Sequence, residues 1–212
     1  MSFNEITIQA YYQAVKLMYS GSPVAQGMLE LDRLARALAP HSVWDRLRQV
    51  DFAAELPALQ SWAAAEIARR PQDVAVLHWR LADLGEAMWL AFLRPLRPPA
   101  GDDDWQAYDH SQAAPAPSSV LAQMAGLAES ELTNAQGEYT HPDVGWIVET
   151  CYPLAYAGLT AARIAQDLPP QALLGDDPAR AIAVFFNEGD EFILGRVDRQ
   201  GFRYHPLPDF IA

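Results

Sequence analysis

The segment AIAVFFNEGDEFILGRVDRQGFRYH, residues 181–205, constrains the fold of this chain most strongly. Its apolar runs have a period of two and are separated by NEGD and DRQG, two short Gly-containing stretches that suit hairpin turns. In AIAVFF both alternating faces are apolar, which is typical of a strand that is covered on both sides. The segment therefore predicts a three-stranded antiparallel β-meander whose first strand needs either covering helices or another strand beside it.

Most of the preceding chain has helical periodicity. Apolar residues recur every three or four positions, and Gly, Ser or Pro interrupts the pattern between segments. Helices are predicted over 4–19, 24–39, 55–69, 119–132 and 142–165. The predicted fold class is therefore α+β and predominantly helical, with a helical body and the meander at its C-terminal end.

The longest helical pattern is DVAVLHWRLADLGEAMWLAFL, residues 73–93. An apolar stripe follows spacings of three and four residues through Val74, Leu77, Leu81, Leu84, Met88 and Ala91. Asp73 precedes this stripe as a helix cap would, and Pro95 follows it. Because further apolar residues form a second face, the segment is predicted to be a buried central helix.

The chain divides into three parts by composition. Residues 1–96 are predicted as an N-terminal helical part and residues 120–212 as further helices followed by the meander. Residues 97–119 are rich in Pro, Ala and Asp and lack an apolar period, so they are predicted as a loop or linker. The parts are expected to form one compact domain overall.

The charge balance limits the classes of partner. The formal net charge is −12, which disfavours binding to nucleic acids and to anionic membrane surfaces but suits a basic protein surface. The first residues lack the pattern of a signal peptide, and no uninterrupted apolar stretch is long enough to predict a transmembrane helix. With a single cysteine the chain has no internal disulfide, and a cytoplasmic location is predicted.

Catalytic motifs with defined spacing are not found in the sequence. One Glu138–His141 pair has the spacing of an ExxH metal motif, but a di-iron site needs two such pairs and more carboxylates. Cys151, among small apolar residues, is predicted to be an inert packing residue. Neither a metal ion nor a cofactor is therefore expected.

The favoured function is that of a non-enzymatic, cytoplasmic protein-binding protein of the inhibitor, immunity or adaptor type. Its acidic surface would face a basic protein partner. The candidate partner-binding carboxylates lie in the predicted hairpins and in the 97–119 segment: Glu188, Asp190, Glu191, Asp198, Asp102, Asp103, Asp104 and Asp109. Tight turns favour Asp and Gly for backbone reasons alone, so a solvated acidic turn is the simpler explanation of several of them.

Two alternatives remain open. The first is an enzyme or a small-ligand-binding protein with its site near His78, Trp79 and Trp89 on the predicted central helix, or near the acidic loop 102–110. The second is a structural subunit of a homo-oligomer that associates through the meander. A pocket with converging polar groups would favour the ligand-binding alternative, whereas a flat acidic patch would favour the inhibitor.

Overall fold

A computed structural model of the protein describes residues 4–71, 73–81, 87–97, 107–112, 115–174, 181–188 and 190–211, with the backbone alone at 110, 112, 185, 187, 188, 190 and 191. Helices pack against a mixed sheet of seven strands. The helices are α1 (Glu5–Met18), α2 (Val24–Leu38), α3 (Val43–Leu47), α4 (Leu56–Arg69), α5 (Ser119–Leu132), α6 (Pro142–Trp146), α7 (Tyr152–Asp167) and α8 (Pro170–Leu174). A π-helical turn, Ile147–Cys151, joins α6 to α7.

The sheet draws its strands from both halves of the chain. They are β1 (Val76–Leu81), β2 (Ala87–Pro95), β3 (Tyr108–Gln112), β4 (Ala116–Pro117), β5 (Ile182–Glu188), β6 (Asp190–Asp198) and β7 (Gly201–Tyr204). The order across the sheet is β3-β2-β1-β5-β6-β7, and β4 also pairs with β2. Neighbouring strands are antiparallel except for β1 and β5, which are parallel and align Val76 with Ala183.

The helix predicted over residues 73–93 is wrong. Residues of this segment form β1 and β2, which pair antiparallel with Trp79 opposite Leu90, and residues 82–86 between them lie outside the described part of the chain. Apolar residues on both faces of the segment satisfy strand alternation as well as a helical period, so the local pattern is ambiguous. The side chains of Leu77 and Trp79 are fully buried against the helices. The pairing of β1 with β5 decides in favour of the strand.

The predicted fold class, a helical body with a separate three-stranded meander, is therefore wrong as well. Strands β5, β6 and β7 do pair antiparallel in sequence order, but they are part of a larger mixed sheet. Strand β1 occupies the free side of β5, which explains why β5 has the composition of an interior strand. Within 97–119, predicted as a loop or linker, β3 and β4 pair with β2.

The central helix of the protein is α7. All residues from Tyr152 to Ala162 are buried, and α7 contacts α1, α2, α4, α5 and four strands. Small residues allow this close packing, because a Cβ added at Gly158 would collide with the side chain of Met18 in α1.

The π-helical turn before α7 has a local cause. Pro153 lacks an N–H group, and its ring is incompatible with the ordinary α-helical position of the carbonyl group four residues earlier. The chain widens here, so that the backbone N–H of Tyr152 donates to the carbonyl oxygen of Ile147, five residues back. The turn places Tyr152 at the interface of α7 with α2 and α3.

Candidate functional site

The three acidic residues of the first C-terminal hairpin adjoin one another along the backbone of the β5–β6 ladder. Glu188 pairs with Asp190, and Asn187 with Glu191, at the end of the β5–β6 ladder. Strand β1 accompanies β5 only as far as the Arg80–Asn187 pair, so the end of the hairpin lies beyond the last described residue pair of β1.

The other predicted partner-binding carboxylates are dispersed. Asp109 in β3 forms an ion pair with Arg94, and Asp198 at the end of β6 forms one with Arg203. Strands β2 and β1 separate β3 from the β5–β6 hairpin, so Asp109 is not its neighbour in the sheet. Asp102, Asp103 and Asp104 lie outside the described residues.

The predicted ligand residues His78, Trp79 and Trp89 do not share one face. His78 and Trp79 are successive residues of β1, so their side chains lie on opposite sides of the sheet. Trp79 is buried among the helices, where its ring lies 5.9 Å from that of Trp62 in α4. Trp89 lies on the same side of the sheet as His78 because it is two residues from Ala91, the partner of His78.

A cavity of about 230 Å³ lies elsewhere, between α2, α3 with the chain that follows it, and the start of α7. It is lined by Ala25, Met28, Leu29, Asp32, Leu47, Arg48, Val50, Asp51, Phe52 and Tyr152. Most of these side chains are apolar. The polar exceptions converge from three separate parts of the chain, which makes this cavity the candidate functional site.

Asp32 is the buried charge of this cavity. Both of its carboxylate oxygens accept from Arg36 Nε at 3.0 Å, and Oδ2 also accepts from Arg48 Nη2 at 2.8 Å. Only 6% of the Asp32 side chain is exposed, whereas 55% of the Arg48 side chain is exposed. Arg36 also donates to Asp45 at 2.8 Å. The network ties α2 to α3, and the two guanidinium groups compensate the buried carboxylate.

Tyr152 forms the floor of the cavity and is held between two aromatic rings. Trp44 stacks on it with ring centroids 5.9 Å apart and planes at 11°. The ring of Phe52 is tilted relative to that of Tyr152, and their centroids are 6.4 Å apart. Trp44 is itself fixed, because its indole Nε1 donates to the carbonyl oxygen of Ala39 at 2.8 Å. Tyr152 is fully buried.

The hydroxyl group of Tyr152 lies beside the carboxylate of Asp32 and interacts with it, although without a hydrogen bond of ordinary geometry within the described part of the protein. Burial raises the pKa of this hydroxyl above its usual value, and the negative charge of nearby Asp32 raises the pKa further. Both Asp32 oxygens already accept N–H groups from arginines. The phenol therefore stays protonated near neutral pH.

A second polar corner, one turn along α7, is half-buried and has all of its carboxylate oxygens hydrogen-bonded. Glu55 Oε1 accepts from the hydroxyls of Tyr156, at 2.6 Å, and Ser118. Glu55 Oε2 accepts from the backbone N–H of Ser119 at 2.7 Å and of Val120 at 3.3 Å, at the N-terminus of α5. Burial alone would raise the pKa of Glu55, but these hydrogen bonds outweigh it and lower the pKa. This corner is a helix cap that joins α4, α5 and α7.

A metal-binding group of side chains and a membrane-spanning helix are both absent from the described residues. No three His, Cys, Asp or Glu side chains within the described ranges are grouped so that they could hold a metal ion. No helix within the same ranges has both the length and the apolar character needed to cross a membrane.

Sequence reasoning missed the cavity, although one signal pointed to it. Asp32 follows Met28 by four residues and therefore lies on the buried face of α2, where a carboxylate requires a partner. Arg36, another four residues on, is the nearest candidate in the sequence. Arg48 and Tyr152 come from distant segments and could be added only from the structure.

Comparison of this chain with models of protein families, with curated proteins and with solved structures finds no match.

Proposed function

We propose that the protein binds a small, largely apolar molecule in the cavity between α2, α3 and α7. The observation that carries this proposal is the cavity itself, which measures about 230 Å³ and combines mostly apolar walls with the buried carboxylate of Asp32 and the buried ring of Tyr152.

The size of the cavity supports an occupant larger than a single water molecule. An apolar cavity of roughly 150 Å³ is large enough for benzene, and one water occupies about 30 Å³ of liquid. The cavity here measures about 230 Å³. One substituted six-membered ring fits this volume, whereas a nucleotide or a peptide of several residues does not.

The chemistry of the cavity favours binding over catalysis. Burial raises the pKa of Tyr152, so its phenolate is not available as a base near neutral pH. Both oxygens of Asp32 are occupied in ion pairs with Arg36 and Arg48. These groups are suited to orient a molecule.

The proposal is tested by filling the cavity from its rim. Ala25 is exposed on α2 and lines the cavity, so Ala25→Trp places an indole ring over it without disturbing the core. Gln26→Trp, at the next exposed position, is the matched control. Saturation-transfer NMR with toluene as the probe should show binding to the parent and to Gln26→Trp, and loss of binding to Ala25→Trp. Equal toluene signals for all three proteins, or none for the parent, would contradict the proposal.

A second candidate function is the binding of a basic protein partner by the end of the β5–β6 hairpin. The observation that favours it is the register of the hairpin, which brings the backbones of Glu188, Asp190 and Glu191 together in a protein with a net charge of −12. Interface carboxylates of this kind mainly set the association rate and its salt dependence.

Charge reversal tests this second function. In the triple variant Glu188→Lys, Asp190→Lys and Glu191→Lys, association with a partner recovered by affinity capture should slow and lose its salt dependence. The control reverses three exposed acids elsewhere: Glu129, Glu138 and Asp209. If both triple variants associate at the same rate and with the same salt slope, the hairpin has no special role.

A further inference from the structure

We infer that the start of α3 is held by a proton-sensitive hydrogen bond to His41, so that acidic pH loosens α3 and the wall of the cavity that it forms. The inference goes beyond the proposed function, because it concerns the pH dependence of this part of the fold whether or not a molecule is bound.

His41 lies between α2 and α3 and is hydrogen-bonded to the beginning of α3. The backbone N–H of Val43, the first residue of α3, donates to Nδ1 of His41 at 3.1 Å. A ring nitrogen accepts only while it carries no hydrogen, so this bond requires the neutral ring with its hydrogen on Nε2. Protonation adds a hydrogen to Nδ1, and two N–H groups would then face each other. The start of α3 therefore loses this bond when His41 becomes charged.

A second histidine contacts His41 from another element. The ring of His141, at the start of α6, has its centroid 4.8 Å from that of His41 and its plane tilted by 62°. Two imidazolium rings at this distance repel each other, whereas two neutral rings pack edge to face. The contact that joins the start of α3 to the start of α6 is therefore most favourable when both rings are neutral.

Charged groups on the neighbouring helices act on His41 in both directions. Glu131 of α5 attracts a protonated His41 ring, but it also forms an ion pair with Arg46 of α3 at 3.5 Å. Other acidic side chains on or beside these helices are engaged with neighbours: Asp45 with Arg36, Asp143 with Asn4, and Glu138 with Asn134.

The balance of these effects favours the neutral ring in the folded protein. Burial lowers the pKa of His41 below its ordinary value of 6.5, and the charge of His141 lowers the pKa further, while Glu131 raises it by less. Because the unfolded chain has the ordinary pKa, it binds this proton more readily than the folded protein does. The contribution of neutral His41 to stability is therefore present above about pH 6.5 and is lost as the pH falls through the lowered pKa of the folded protein.

Both histidines lie at the beginning of segments that form the cavity. Helix α3 carries Trp44, which stacks on Tyr152, and Leu47, which lines the cavity. Helix α6 continues through the π-helical turn to Tyr152 itself. When the start of α3 is released, Trp44 and Leu47 lose part of the support that holds them beside Tyr152.

NMR titration of the parent between about pH 8 and pH 5 tests the inference. The ring of His41 should titrate with a midpoint below 6.5, and the indole N–H of Trp44, which donates to Ala39, should shift with the same midpoint. Below this midpoint the hydrogen-exchange protection of the Trp44 indole and of the Arg48 amide should fall by roughly 3- to 10-fold, since one neutral hydrogen bond is lost. A His41 midpoint at or above 6.5, or unchanged protection across it, would overturn the inference.

A variant that keeps the hydrogen bond but does not titrate isolates the role of His41. In His41→Asn the side-chain oxygen can accept from Val43 and stays uncharged, so protection should be independent of pH between about pH 8 and pH 5. His205→Asn is the matched control, because His205 is exposed and its Nδ1 lies 3.0 Å from the carbonyl oxygen of the adjacent Pro206. Protection in this control should fall as in the parent. If both variants lose protection equally, a group other than His41 is responsible and the inference fails.

Two further variants test the surroundings of the ring. His141→Asn removes the neighbouring positive charge and should raise the titration midpoint of His41, whereas Glu131→Gln removes an attracting carboxylate and should lower it. An unmoved midpoint in His141→Asn would overturn the role assigned to the second ring.

The consequence for the cavity is measured with toluene, which has no titratable group. Its Kd should rise on acidification of the parent and should not change with pH in His41→Asn. If toluene does not bind the parent at any pH, the proposed function fails, while the exchange experiment still decides this inference. If toluene binds equally at both ends of the titration although protection falls, the cavity wall does not depend on the start of α3, and that part of the inference is overturned.

Discussion

Two tyrosines one turn apart on α7 lie near carboxylates, Tyr156 near the half-buried Glu55 and Tyr152 near the buried Asp32. Tyr156 donates its hydroxyl proton to Glu55 at 2.6 Å. Tyr152 lies near Asp32, yet its hydroxyl has no hydrogen bond of ordinary geometry among the described residues. Phe52 contacts the rings of both.

The difference lies in what else surrounds each carboxylate. Glu55 is bound by hydroxyl and backbone N–H groups, all of them neutral donors, and Tyr156 is one of this set. Asp32 is bound by two guanidinium groups, which carry the compensating charge and occupy both oxygens. The hydroxyl of a tyrosine completes the first corner, whereas in the second it lies beside a carboxylate that two arginines already bind. The second corner adjoins the cavity described above, which is why we place the binding site there.

The largest effect is expected from removing the Glu55 carboxylate. Glu55→Ala leaves Tyr156 and the N-terminal N–H groups of α5 without their acceptor, and should lower the free energy of unfolding by about 3 kcal/mol. Glu129→Ala, at an exposed position on α5, should change it by less than about 0.5 kcal/mol. Urea denaturation of both variants measures the contrast. Similar losses in the two would mean that the Glu55 corner is not the structural joint described above.

A smaller loss is expected at the Asp32 corner. Asp32→Asn keeps the size of the side chain but removes the charge between Arg36 and Arg48, and should lower the free energy of unfolding by about 2 kcal/mol. The loss is moderated because 55% of the Arg48 side chain is exposed and can be hydrated. The same denaturation experiment measures it. An unchanged midpoint would show that the arginines do not depend on Asp32.

Removing the hydroxyl group should change the free energy of unfolding differently at Tyr156 and at Tyr152. Tyr156→Phe removes a hydrogen bond to a charged group and should cost about 2 kcal/mol. Tyr152→Phe removes a hydroxyl that lies beside Asp32 without a hydrogen bond of ordinary geometry, so stability should fall by less than it does in Tyr156→Phe. Thermal unfolding of the two variants without ligand decides this. A large loss for Tyr152→Phe would mean that its hydroxyl is already satisfied.

The smallest predicted effect is on the stability of the protein at acidic pH. The pKa of Glu55 is lower in the folded protein than the ordinary value of 4.5, so the unfolded chain binds this proton more readily. Its contribution to stability is present above about pH 4.5 and is lost as the pH falls through the folded pKa. Glu55→Gln should therefore lose less stability than the parent between about pH 5 and pH 3. If the free energy of unfolding depends on pH in the same way in Glu55→Gln and in the parent, the lowered pKa of Glu55 does not contribute to stability.

The sequence predicted several elements because their signals are local. The helices predicted over 4–19, 24–39, 55–69 and 119–132 correspond to α1, α2, α4 and α5, whose amphipathic patterns and chain breakers lie within each segment. The region 73–93 failed because a segment that is apolar on both faces fits two periods. The deciding contact, between β1 and β5, lies far away in the sequence.

The sequence also failed to predict the candidate site, because the contacts that form it join segments far apart in the chain. The acidic residues were predicted as a site because several of them adjoin one another in the sequence. Asp32, Arg48 and Tyr152, in contrast, belong to three separate segments. Proximity in the fold, rather than in the sequence, creates the cavity. A carboxylate on the buried face of α2 was the available local signal, and it indicates a partner without naming it.

The parallel pairing of β1 with β5 also has a consequence during synthesis of the chain. The register aligns Val76 with Ala183, and residues 82–181, 100 in all, must be made between the end of β1 and the start of β5. Because a ribosome adds about 5–20 residues per second, the edge of β1 that pairs with β5 stays unpaired for roughly 5–20 seconds before β5 has been made. During this interval the edge is open to pairing with other nascent chains. Slow translation should therefore lower the yield of folded protein, and chaperones that cover apolar segments should restore it.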